Sequence, residues 1–171
     1  QQYKTLKTEG NYNNNIGLPL TILRLKDEEV MILEMGMNHL NEMEELSRIA
    51  CPDISAITNV GTAHIGELGS RENILKAKLE IVAGMSDGST LVINGDNDML
   101  STVRFDNFKV VKVGVDCAAV FKAEKVILMD DHSEFTINYN GKVYQVVVPV
   151  PGNHFVLNAL VAIAIGIRSE E

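Results

Sequence analysis

Tryptophan is absent from this chain of 171 residues, and aromatic residues make up only 5% of it. Its interior must therefore be built from Ile, Val, Leu, Ala and Met, which the 46% hydrophobic content supplies in quantity. That content argues against a disordered chain, and the length is enough for one domain with a substantial core. Cysteine is scarce too: Cys51 and Cys117 lie far apart without ligand spacing, which reads as two reduced thiols and not as a disulfide framework. No apolar run reaches membrane length. The most apolar one, 155–167, suits a buried helix. A secretory signal is missing, and the chain opens on Gln rather than Met, so an excised piece of something longer is expected. Basic excess is missing as well. A net charge of −8 disfavours nucleic acid as a general partner, but a phosphorylated ligand held by a cation and backbone amides stays open.

What is present alternates. Residues 1–9 read as a short strand, 11–17 (NYNNNIG) as a polar loop, and Pro19 as the first position of a helix or turn. The apolar run 30–33 has the signature of a strand buried on both faces, and 41–50 reads as a helix capped by Asn38 or Asn41. Residues 54–60, 90–94 and 110–115 repeat the buried-strand pattern. Strands alternating with helices predict an α/β fold, a mostly parallel sheet flanked by helices. From 118 to 149 the pattern changes to three strands with a strong hairpin turn at Asn140-Gly141, which predicts a small antiparallel β appendage. Asn153 caps a final helix from His154 to about Ile167.

One lysine stands out. Over 71–85 the periodicity predicts a helix with Ile74, Leu75, Ile81, Val82 and Met85 on one apolar arc, and Lys76 and Glu80 on the solvent side. Lys78 falls inside the apolar arc, roughly 40° from Ile74. A core-facing lysine must snorkel, pair with an acid, or lose its charge. An uncharged amine reacts with carbon dioxide to give a carbamate, whose oxygens suit a hard cation. Glu34 ends a predicted parallel strand, at the edge where open α/β sheets bind ligands; a solvated strand-end acid is the plainer alternative. His64 follows the strand 54–60 in the same way and is otherwise a surface loop residue. Asn11, Asn13, Asn14 and Asn15 are either turn formers or a dense donor set. His154 and Asn158, one helical turn apart, either read a base edge or cap neighbouring backbone.

Taken together, TEGNYNNNIGLPLTIL (8–23), ILEMGMNH (32–39), ITNVGTAHIGELGSRENILKAKLEI (57–81), NGDND (94–98) and PGNHFVLNAL (151–160) resemble the central ATPase domain of the Mur ligases, in family order and over most of the chain. EMGMNH with NYNNNIGLP resembles the branch that adds D-Ala-D-Ala. The resemblance implies a P-loop NTPase-like middle domain over 1–171, with the UDP-binding and C-terminal domains absent. It implies cofactors ATP and Mg2+, with Glu34 as a metal ligand and with His64 and a carbamoylated Lys78 holding a second Mg2+. Glu34, His64 and Lys78 would form the catalytic set. Asn158 and His154 would contact the adenine of ATP, and Thr8, Asn11 and Asn14 would face the UDP-muramoyl-peptide. Two features depart from the family pattern: no G-x-x-x-x-G-K-[ST] loop occurs, and Phe155 stands where relatives usually carry Asn.

The implied reaction is ATP-dependent amide formation in a cytoplasmic peptidoglycan-precursor pathway. The peptide carboxylate takes up the γ-phosphoryl group as an acyl phosphate, and the amine of D-Ala-D-Ala then displaces phosphate. Without its P-loop the isolated chain is expected to be inactive, and its exposed sheet edges to favour self-association. The alternatives are another Mur or folylpolyglutamate-type ligase, and a non-catalytic nucleotide-binding module.

Overall fold

The computed structural model describes residues 3–168. They fall into two compact units, one running to Asp53 and resuming over Gly61–Ser86, the other made of Ile54–Val60 and the chain from Asp87 onward.

In the first unit, β1 (Thr5–Lys7) pairs in parallel with β2 (Val30–Ile32), Leu6 opposite Met31. The helix α1 (Gly17–Ile22) lies between them in sequence. Its entry is held by Asn14, whose side-chain oxygen accepts the amides of Ile16 (3.1 Å) and Gly17 (2.8 Å). Pro19 is thus the third helical residue and not the first. Gly17 is required by contact: a Cβ there would lie 2.5 Å from the Tyr12 Cα. The prediction that 30–33 is buried on both faces fails. Met31 is 36% and Ile32 59% exposed, because β1 is the only ladder partner of β2 among the described residues.

Two acids, not an asparagine, organise the start of α2 (Glu42–Ala50). Asn41 occupies the N-cap with φ 71° and makes no side-chain cap bond. Glu42 instead accepts the amides of Asn38 (2.7 Å) and His39 (3.2 Å), and Glu80 accepts the Asn41 amide with both oxygens, at 2.9 and 2.8 Å. Glu80 was expected to face solvent; it is half-buried and tied to this loop. After α3 (Ile65–Leu68), α4 (Arg71–Leu79) starts on a Ser70 cap that accepts the Asn73 amide. It ends six residues before the predicted Met85 and tightens into a 3₁₀ turn over Glu80–Gly84. That turn packs on α2, where the buried Ser47 hydroxyl donates to the Ile81 carbonyl and accepts the Gly84 amide.

The second unit is a six-stranded sheet in the order β3-β4-β5-β6-β7-β8. β3 (Ile54–Ile57), β4 (Thr90–Asn94), β5 (Lys109–Gly114) and the start of β6 (Phe121–Leu128) run parallel. β7 (Ser133–Tyr139) and β8 (Lys142–Val148) continue antiparallel, so the strands of 118–149 extend the sheet. Asn140 (φ 51°) and Gly141 (φ 76°) turn the hairpin with both backbones left-handed. The 16-residue helix α5 (Asn153–Arg168) covers one face. Its Val156, Leu160, Val161 and Ala164 pack with Val92, Val111, Val113, Phe121, Phe135 and Ile137. Aliphatic residues carry most of this core, and each large one contributes about 1.5–3 kcal/mol on burial.

Ser55 is the exception in β3: its hydroxyl is buried without a hydrogen-bond partner among the described residues. Ser55→Ala is therefore expected to stabilise the chain by about 1 kcal/mol, by removing an unsatisfied polar group. Thermal melts check this, and a lower Tm in the variant would show that the hydroxyl is bonded after all.

Candidate functional site

Glu34 follows β2 and is exposed. Its amide donates to the Thr8 hydroxyl (2.9 Å), and its Oε1 accepts the Asn13 side-chain amide (2.9 Å). Asn13 is fixed in turn, with its carbonyl accepting the Gly36 amide at 2.8 Å. Thr8 and Asn14 are thus both engaged within the protein, Thr8 by Glu34 and the Asn14 oxygen by α1. Asn11 is exposed, and its carbonyl accepts the Asn13 amide at 2.8 Å.

Lys78 is half-buried on α4, beside the buried Ile74 and Ala77. Burial alone pushes its pKa down. No hydrogen bond or ion pair to Lys78 occurs among the described residues. His64 sits at the start of α3 in the left-handed region (φ 64°), with its side chain exposed. Its charge acts weakly on Glu42. The Asn38 amide holds that carboxyl below the ordinary range against the push of burial, and the His39 amide and the charges of His39 and His64 add to the effect. No hydrogen bond or ion pair joins Glu34, His64 and Lys78. Among the described residues no group of three His, Cys, Asp or Glu side chains is spaced to hold a metal.

In the second unit, His154 and Asn158 both lie exposed near the start of α5. The His154 ring stands 4.1 Å from that of Phe155, at 42°. At the ends of β4 and β5 the residues of NGDND knit loops together. Asp96 accepts the amides of Val115 (2.5 Å), Cys117 (2.7 Å) and Asp116 (3.1 Å). Asn97 donates to the Asn59 side-chain oxygen (2.8 Å) and the Val60 carbonyl (3.2 Å), while its own oxygen accepts the amides of Met99 and Leu100. Both cysteines are free.

The sequence reading places Asn13 in a donor-rich loop and Asp96 and Asn97 in the NGDND motif without giving any of them a partner, and it sets Glu80 on the solvent side. Asn13 and Glu80 bond partners 21 and 39 residues away.

No helix among the described residues is long and apolar enough to cross a membrane. The family profile described as the Mur ligase middle domain matches residues 1–166. The UDP-N-acetylmuramoyl-tripeptide--D-alanyl-D-alanine ligase of Bacillus subtilis (strain 168) is 40% identical over 166 residues, covering 96% of this chain and 35% of that protein. The ligase of the same name from Escherichia coli (strain K12) is 33% identical, over 94% of this chain and 36% of that protein. Among solved structures, MurF from Acinetobacter baumannii superposes with a TM-score of 0.91 at 30% identity, over 97% of this chain and 37% of that one. The chain thus spans about a third of the length of the relatives it matches. On this profile match and these identities, the chain belongs to the Mur ligase family, as its middle domain.

Proposed function

We propose that this chain is the ATP-handling middle part of a cytoplasmic ligase that joins D-Ala-D-Ala to UDP-N-acetylmuramoyl-tripeptide through an acyl phosphate. The observation that carries this reading is Lys78, a half-buried lysine shifted toward its neutral form by burial and bonded to no acid among the described residues. A structural lysine in an apolar setting ordinarily gains a carboxylate partner. In its neutral form, which burial favours, the amine attacks the carbon of CO2, forming an N–C bond and releasing one proton. The resulting carbamate is an oxygen ligand suited to Mg2+.

The donor chemistry fits a hard cation in part. The Glu34 Oε2 accepts no hydrogen bond from the described residues, and a carbamate on Lys78 would add oxygens. An imidazole at His64 is the less natural ligand. When bound, Mg2+ would neutralise charge on the polyphosphate and on the substrate carboxylate. Within the chain, Glu34 would present a fixed carboxylate from the end of β2. His154 and Asn158 would meet the adenine end of ATP. Thr8, Asn11 and Asn14 would shape the loop facing the muramoyl-peptide.

Isotopically labelled bicarbonate tests the carrying observation. The chain is expected to show one carbamate resonance that disappears in Lys78→Arg; a spectrum without it, with and without Mg2+, would remove the metal scheme. The reaction itself is tested by placing this segment in the Bacillus subtilis relative. The chimera is expected to release phosphate only when both the UDP-linked tripeptide and D-Ala-D-Ala are present. Phosphate release independent of D-Ala-D-Ala would point to a different amine acceptor.

A further inference from the structure

We propose that Asn13 is a positioning residue for the Glu34 carboxylate: its side-chain amide holds one oxygen and leaves the other as the acceptor for a divalent cation. The inference rests on the reading of Glu34 as a metal ligand.

The geometry is over-determined for a loop asparagine. The Asn13 Nδ2 donates to Glu34 Oε1 at 2.9 Å, and the opposite amide orientation would set two acceptors against each other. The asparagine backbone is bonded on both sides, its amide to the Asn11 carbonyl and its carbonyl to the Gly36 amide, each at 2.8 Å. The Glu34 backbone is held separately, its amide on the Thr8 hydroxyl. Gly36 completes the clamp by having no side chain, since a Cβ there would lie 3.0 Å from both Cγ and Nδ2 of Asn13. An exposed glutamate otherwise samples many rotamers, and ordering it is a cost that metal binding must meet.

The donor's neutrality matters as much as its position. Lys or Arg would fix the carboxylate and also cancel the charge a cation needs. An amide orients it and leaves the full negative charge in place. Outer hydrogen bonds of this kind typically change metal affinity about 10–100-fold.

Mn2+ titrated into the chain, read by paramagnetic broadening of the amide signals around Glu34, tests this. Wild type is expected to broaden at a defined midpoint that Glu34→Gln abolishes. Asn13→Ala is expected to raise the midpoint about 10–100-fold, while the Gly36 amide stays protected from exchange because its acceptor is the backbone of residue 13. Gly36→Ala should raise the midpoint in the same direction by displacing the asparagine side chain. An unchanged midpoint in Asn13→Ala, with Glu34→Gln still silent, overturns the role of Asn13 and leaves the Glu34 reading standing. Broadening that survives Glu34→Gln removes both.

Discussion

Gly84→Ala is expected to destabilise the first unit by about 3–5 kcal/mol, among the largest effects a single methyl group can have. A Cβ at this position would lie 1.9 Å from the Ser47 carbonyl oxygen and 2.8 Å from the Arg48 nitrogen. Both are backbone atoms of α2, so no side-chain rotation relieves the contact. The helix or the 3₁₀ turn must move, and either movement pulls the Gly84 amide from the Ser47 hydroxyl that accepts it at 2.9 Å. That hydroxyl also donates to Ile81, so two bonds of a buried serine are disturbed together. Total stabilities are about 5–15 kcal/mol, so the loss should be visible as a large fall in the urea midpoint. Gly66→Ala is the matched control. Nothing lies within 4 Å of its Cβ position, and the change is expected to be neutral or to stabilise by up to about 1 kcal/mol. Equal stability for the two variants would mean that α2 and the turn are not packed backbone to backbone.

Asp96→Asn is expected to cost about 2–3 kcal/mol, since three backbone amides lose an ionised acceptor at once and the site is only half-buried. The variant also changes the pH dependence. Burial pushes the Asp96 carboxyl up, but the amides of Val115, Cys117 and Asp116 and the Cys117 thiol outweigh it, and the net shift is downward. A carboxyl with a lower value folded than unfolded stabilises the fold above the unfolded value of about 4. That contribution disappears as pH falls through the folded value. Wild type should therefore lose stability on acidification more steeply than Asp96→Asn, and the two curves should converge at low pH.

Cys117 reports on the same loop. Burial first, then the hydrogen bond and the charge of Asp96, push its thiol up to about 11. At neutral pH it should resist iodoacetamide, and Asp96→Asn should alkylate faster there. Parallel acid curves for wild type and variant, with unchanged thiol reactivity, would show that Asp96 is not the clamp.

Much of this fold was legible from residue order because it depends on local periodicity. The alternation of apolar runs and amphipathic stretches predicts the parallel strands and their helices. Asn140-Gly141 predicts a left-handed turn whatever surrounds it. The position of Lys78 on a 3.6-residue period predicts an inward amine, and it is found half-buried. Errors came where a local rule met a nonlocal competitor. Asn41 has a good capping side chain, yet Glu42 and Glu80 satisfy that loop instead. The run 30–33 reads as a central strand, yet its cover is a tertiary matter and its second ladder is missing among the described residues. The predicted helix of 71–85 stops at Leu79, and Gly84 then meets the backbone of α2.

Sequence alone therefore determined the α/β class, the motif set shared with Mur ligases and the desolvated lysine, all properties of neighbours within a few turns or a short pattern. Tertiary structure alone decided that Asn13 bonds Glu34, that Glu80 holds the Asn41 amide and that Asp96 gathers the loop after β5. Those contacts join groups tens of residues apart. A hydrogen bond depends on where donor and acceptor meet in space, and their spacing along the chain does not encode it.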